Sequence, residues 1–164
     1  VKLNPIAPDQ AQPAMPRGAA PVGMLAELPA LEQSAILALR QWCAGPEGRA
    51  QVAEKFHQVL APPRADQELQ HCAQLFDMVV TCSARPLMRH GADCACFGGD
   101  ENAFAQLVAA AALGNRDEAL IFALALITPP AAFAVVRAAE PVGMALLTVS
   151  RLLRFSPTPN ITHH

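Results

Sequence analysis

Helix-breaking residues recur through this chain at roughly the spacing of one helix: Gly45-Pro46, Pro62-Pro63, Pro86, Gly114-Asn115, Thr128-Pro129-Pro130 and Glu140-Pro141. Proline lacks the amide hydrogen that an interior helical turn uses, and its ring crowds the carbonyl one turn back. Such residues therefore end one element or open the next. Between them, apolar residues return every three or four positions, the period of an amphipathic helix. Leu28, Leu31, Ala35, Leu39 and Trp42 mark a first helix from about Leu25 or Pro29 to Ala44. Val52, Phe56, Val59 and Leu60 mark a second from Pro46 to Ala61, with Pro62-Pro63 as its stop. Leu69, Cys72, Phe76, Val79 and Val80 mark a third, capped by Asp66 and reaching about Ser83.

A fourth helix is predicted with Asp100 as its cap and Phe104, Leu107, Val108 and Ala111 inward, closed by Gly114. Asn115, with Glu118 three residues on, has the pattern of a capping box and opens a fifth helix, Arg116 to about Ile127, apolar on nearly every face. Thr128-Pro129-Pro130 opens a sixth, and Glu140-Pro141 a seventh running to Phe155 with Met144, Leu147 and Leu152 inward. The expected fold is all-α: a compact bundle of six or seven short helices. A Pro-rich extended arm precedes it (1–21), the helical domain covers 22–155, and a polar tail follows (156–164). The repeated Pro-Val-Gly-Met at Pro21 and Pro141 is expected to start a helix in both places.

A chain of 164 residues can bury a real core without metal or disulfide support. Apolar residues make up 52% of it and charged residues 16%. Some apolar surface is therefore expected to face a partner, either a second copy or another protein, through helices 116–155. A net charge of −2 without a Lys or Arg run excludes bulk attraction to nucleic acid. The five cysteines are odd in number and no secretory signal pattern is evident, which points to reduced thiols and a cytoplasmic location. The preference for Arg over Lys, with abundant Ala and Pro, is the usage of a GC-rich bacterial genome. Ala119 to Val136 is uncharged, but Pro129-Pro130 interrupts it and charges crowd both ends, so buried helices and no membrane span are expected.

The hairpin Leu113-Gly114-Asn115-Arg116-Asp117-Glu118-Ala119-Leu120 resembles the turn and second-helix start of a tetratricopeptide repeat over about half of one repeat. No second copy follows, so the resemblance implies a tight helical hairpin only. A DNA-reading helix-turn-helix is excluded, because Leu120 to Leu126 has no polar side chain to offer base edges.

Polar chemistry is concentrated in Arg85 to Glu101. His90, Cys94 and Cys96 offer imidazole and thiolate, the donors preferred by zinc and other borderline-soft metals. Cys82, at the end of the third helix, is the expected fourth ligand. One residue separates Cys94 from Cys96 where structural zinc sites usually have two to four, and extended backbone is expected to splay the two sulfurs unless a turn converges them. Arg85 and Arg89 are expected to pair with Asp100 and Glu101, which accounts for all four charges without an anion site. The chain is therefore read as an interaction or regulatory module rather than an enzyme, with this loop a structural clasp able to hold a metal, zinc among them. The alternative is a thiol-dependent redox or nucleophilic enzyme using Cys94 or Cys96. No residue pattern identifies a substrate or pathway.

Overall fold

The computed structural model describes residues 17–155; the arm before residue 17 and the tail from 156 lie outside the described residues. Six α-helices are described: α1 (Ala30–Cys43), α2 (Pro46–Val59), α3 (Pro62–Thr81), α4 (Gly99–Ala112), α5 (Arg116–Leu126) and α6 (Pro129–Phe155). The all-α expectation holds, with two departures: α3 and α6 are long, at 20 and 27 residues, and a two-stranded antiparallel sheet joins β1 (Pro21–Met24) to β2 (Cys96–Gly98). Met24 pairs with Cys96 and Pro21 with Gly98, and an irregularity falls between Pro21 and Gly23. The first Pro-Val-Gly-Met is thus a strand rather than a helix start, and α1 begins only after a 3-10 turn at Leu25–Glu27.

Helix α4 lies at the centre and packs against α1, α5 and α6. Phe104, Leu107, Val108 and Ala111 are buried as expected, and Ala105, Ala109 and Ala110 bring neighbouring backbones close. An aromatic chain crosses the core from α1 through α3 to α4, with Trp42 and Phe76 centroids 5.3 Å apart and Phe76 and Phe104 5.9 Å apart. The Gly114-Asn115 hairpin forms as expected: Gly114 has φ 75°, and the Asn115 side chain accepts from the Glu118 N–H and donates to the Glu118 carboxylate.

Two proline readings are corrected. Pro62 and Pro63 do not stop α2; they form the first turn of α3, where a fixed φ is pre-organised and no amide hydrogen is needed. Asp66 is accordingly inside α3, where its carboxylate meets His57 Nε2 at 3.0 Å. Pro141 does not separate two helices; it lies inside α6. The buried stripe explains this, because Ala132, Val135, Ala139, Val142, Leu146 and Val149 keep helical spacing straight through the proline. Burial along that stripe outweighs one missing hydrogen bond. The face expected inward is displaced: Met144 is 52% and Leu152 40% exposed.

Helix α6 is long and apolar enough to cross a membrane by length and composition alone, and 50% of its most apolar window is buried inside the bundle. Helix α5 buries Ala119, Ala123 and Leu126 but leaves Ile121 68% exposed, and Phe133 on α6 is 70% exposed.

Gly143 sits where α6 meets α4. A Cβ there would lie 2.7 Å from both the Ala112 Cβ and the Val108 carbonyl oxygen. In an open helix Gly→Ala stabilises by about 0.5–1 kcal/mol. Here the sign should reverse: Gly143→Ala is expected to destabilise by about 1–3 kcal/mol, measured as a lower urea midpoint.

Candidate metal centre

The loop between α3 and α4 is held by two ion pairs that converge on the start of α4. Gly98, not Asp100, is the N-cap residue, and Asp100 and Glu101 fall in the first turn. Glu101 carries the reciprocal half of a capping box, accepting the Gly98 N–H at 3.0 Å. It is 0% exposed and pairs with Arg40 of α1, itself 1% exposed: Nε to Oε1 is 2.6 Å and Nη2 to Oε2 is 2.9 Å. Asp100 takes a two-pronged pair from Arg85, both bonds 2.7 Å, and the Met88 N–H at 2.9 Å. The Arg85 expectation is therefore met at Asp100. The Arg89 expectation is not: Arg89 donates to the Cys43 carbonyl, and Arg40, distant in sequence, takes the place beside Glu101.

The buried pair also shapes the loop. Arg40 donates to the carbonyls of Cys94 and Cys96, both at 2.7 Å, while Glu101 accepts the His90 N–H at 3.0 Å. The Ala95 carbonyl turns the other way, to the Leu25 N–H at 2.8 Å. Carbonyls and side chains alternate along extended chain, so residues two apart share a face. Cys94 and Cys96 consequently present their sulfurs on one side, and the expected splaying does not occur. A turn closed by Cys94 N–H to the Gly91 carbonyl, 3.1 Å, brings His90 back over them.

The result is a triangle of donor atoms. Cys94 Sγ and Cys96 Sγ are 2.9 Å apart, His90 Nδ1 is 3.1 Å from Cys96 Sγ and 3.5 Å from Cys94 Sγ. The sulfurs are well beyond disulfide length, about 2.0 Å, and all five cysteines are free. His90 Nε2 lies 2.7 Å from the Ala19 carbonyl oxygen. A carbonyl can only accept, so Nε2 carries a hydrogen, and Nδ1 faces the sulfurs, as a lone pair in the neutral ring and as a donor in the protonated one. All three residues are half-buried, and together they form an arrangement that can hold a metal ion.

Cys82 is not in this group. It ends α3, where its carbonyl accepts the Thr128 N–H at 3.0 Å and its sulfur lies 3.7 Å from Thr81 Oγ1. Cys72 is fully buried, and burial followed by the nearby Glu68 charge pushes its thiol up to about 12, the behaviour of a core residue. Hydrogen bonds from the Cys96 side chain and backbone, and from His90, bring the Cys94 thiol down to about 7. The bond with Cys94 pushes Cys96 the other way, and the Ala19 carbonyl raises His90. Protein-family models, curated proteins and solved structures offer no match to this chain.

Burial alone would raise the carboxyls of Asp100 and Glu101, but their arginine partners and backbone donors outweigh it and hold both below the usual carboxylate range. A depressed folded-state pKa stabilises the fold fully above the unfolded value, about 4, and that stabilisation is lost as pH falls through the folded value. Urea midpoints should therefore drop on acidification below about pH 4, and less steeply in Asp100→Asn. Glu101→Gln removes one charge of a buried pair and is expected to cost about 3–5 kcal/mol at neutral pH.

Proposed function

We propose that this protein is a small interaction module that carries an exchangeable zinc-class ion on His90, Cys94 and Cys96. The observation that carries this reading is the Ala19 carbonyl bonded to His90 Nε2. Metal-bound histidines characteristically donate their second ring N–H in this way, which fixes the tautomer and the ring orientation. Zinc at about 2.3 Å from sulfur and about 2.0 Å from nitrogen would be accommodated with the two sulfurs moving apart by about 1 Å. Three protein donors leave a fourth position for water or a ligand, which distinguishes the group from a closed structural site with four protein ligands.

Protein purified without chelators is expected to contain about one zinc per chain by elemental analysis. Cys94→Ser, Cys96→Ser and His90→Ala should each lose it. Retention in Cys82→Ser would exclude that residue as a fourth ligand. Cobalt substitution should give thiolate-to-metal absorption that disappears in Cys96→Ser. The competing reading is a thiol enzyme, favoured by the low pKa of Cys94. Protein free of metal after such purification, with one thiol rapidly alkylated at neutral pH, would replace the metal reading with that one.

The exposed Ile121 and Phe133 on α5 and α6 support the partner-binding half of the proposal. If a second copy is the partner, the protein should run as a dimer in light scattering, and Phe133→Asp should convert it to a monomer while leaving the metal content unchanged.

A further inference from the structure

A cleft of about 660 Å³ opens between the end of α1, the start of α2, the last turns of α3 and the Pro86–Arg89 stretch that follows. Its volume falls in the range of small-molecule sites. Trp42, Val80, Pro86 and Leu87 provide apolar walls, and Val80 is 52% exposed although it belongs to a helix that otherwise buries its apolar residues. Arg49 and Arg89 line the same cleft.

Arg40, Arg64, Arg85 and Arg116 all pair with carboxylates. Among the described residues, neither Arg49 nor Arg89 is held by a carboxylate, a state they share with Arg137, Arg151 and Arg154, but here two of them line one cleft. Arg49 donates to the Trp42 carbonyl at 3.4 Å and stands 5.1 Å from the indole centroid, and Arg89 donates to the Cys43 carbonyl at 3.3 Å. Each retains further donors beyond these single backbone contacts. Asp77 also lines the cleft, so its formal charge is one positive after two arginines and one carboxylate are counted. Trp42 adds a buried indole N–H with no acceptor among the described residues. Apolar walls beside unpaired guanidiniums select an occupant with an apolar body and acceptor oxygens.

We propose that this cleft is a binding site for a small amphipathic carboxylate, its carboxylate held by Arg49 and Arg89 and its hydrocarbon body against Trp42, Val80 and Leu87. The inference is independent of the metal reading, because it uses none of the three sulfur-cluster residues.

The chain has one tryptophan and no tyrosine, so intrinsic fluorescence reports on the wall of the cleft itself. Octanoate, which absorbs neither exciting nor emitted light, serves as the probe at concentrations below its micellar range. Titration should give a saturable change in Trp42 emission. Octanol and octylammonium of the same chain length should give none in that range. Arg49→Met should weaken octanoate binding about tenfold or more, the loss expected for one charge-assisted hydrogen bond. Arg89→Met should do the same, with unchanged helical circular dichroism confirming that both variants fold. Absence of a saturable change with octanoate, an equal response to octanol, or unaltered affinity in Arg49→Met would each overturn the proposal.

Discussion

Burying Arg40 against Glu101 is the constraint on which the rest of this structure depends. Removing both charges from water costs several kcal/mol per ion, and the cost is recovered only if the remaining donors and acceptors are satisfied. They are: the guanidinium holds Glu101 and the carbonyls of Cys94 and Cys96, while the carboxylate holds Arg40 and the N–H groups of His90 and Gly98. Every one of those backbone groups belongs to the α3–α4 loop or its junction with α4. A pair of this kind specifies a geometry, since displacing any strand of the loop strands a charge in the core.

The two acids at the start of α4 divide the loop between them. Glu101 organises its second half through Arg40, and Asp100 organises its first half through Arg85 and the Met88 N–H. Both also meet the partial positive charge of the helix N-terminus, which favours anions there. Ala19 and Leu25, on either side of β1, add outside supports, one to the His90 ring and one to the Ala95 carbonyl. The segment from Ala19 to Leu25 is thereby part of the site, although its sequence carries no titratable side chain of its own.

Periodicity made most of the helices legible, since α1, α2, α4 and α5 all follow apolar spacing. It is equally informative across Pro141, where the stripe from Ala132 to Val149 keeps its phase although proline in general breaks helices. The His90, Cys94 and Cys96 group was readable because its donors lie within seven residues. Arg40 was not, because its partner is 61 positions away and a single sequence does not reveal such pairings. A faint trace exists nonetheless: Arg40 is the only charge between Ser34 and Cys43, and it falls one turn after the buried Ile36. The strand β1 left no trace at all, being four residues whose pairing with β2 is decided by tertiary contact.

The clasp and the metal centre are not competing descriptions of one loop. Arg40, Glu101 and Leu25 hold the backbone of His90, Cys94, Ala95 and Cys96, so the loop's polar main-chain groups are satisfied without any help from the side chains. That leaves the imidazole and both thiols free to converge and fixes where they do so. Dependence therefore runs in one direction. The donor triangle requires the buried ion pair, whereas the ion pair, seated on a core of Ile36, Phe97 and Ala105 with Leu25, does not require the triangle. In a small zinc-folded domain the ion supplies the missing core and the apo chain unfolds. Here the core is already present, so on the proposed reading an ion held by the loop would not be needed for the fold.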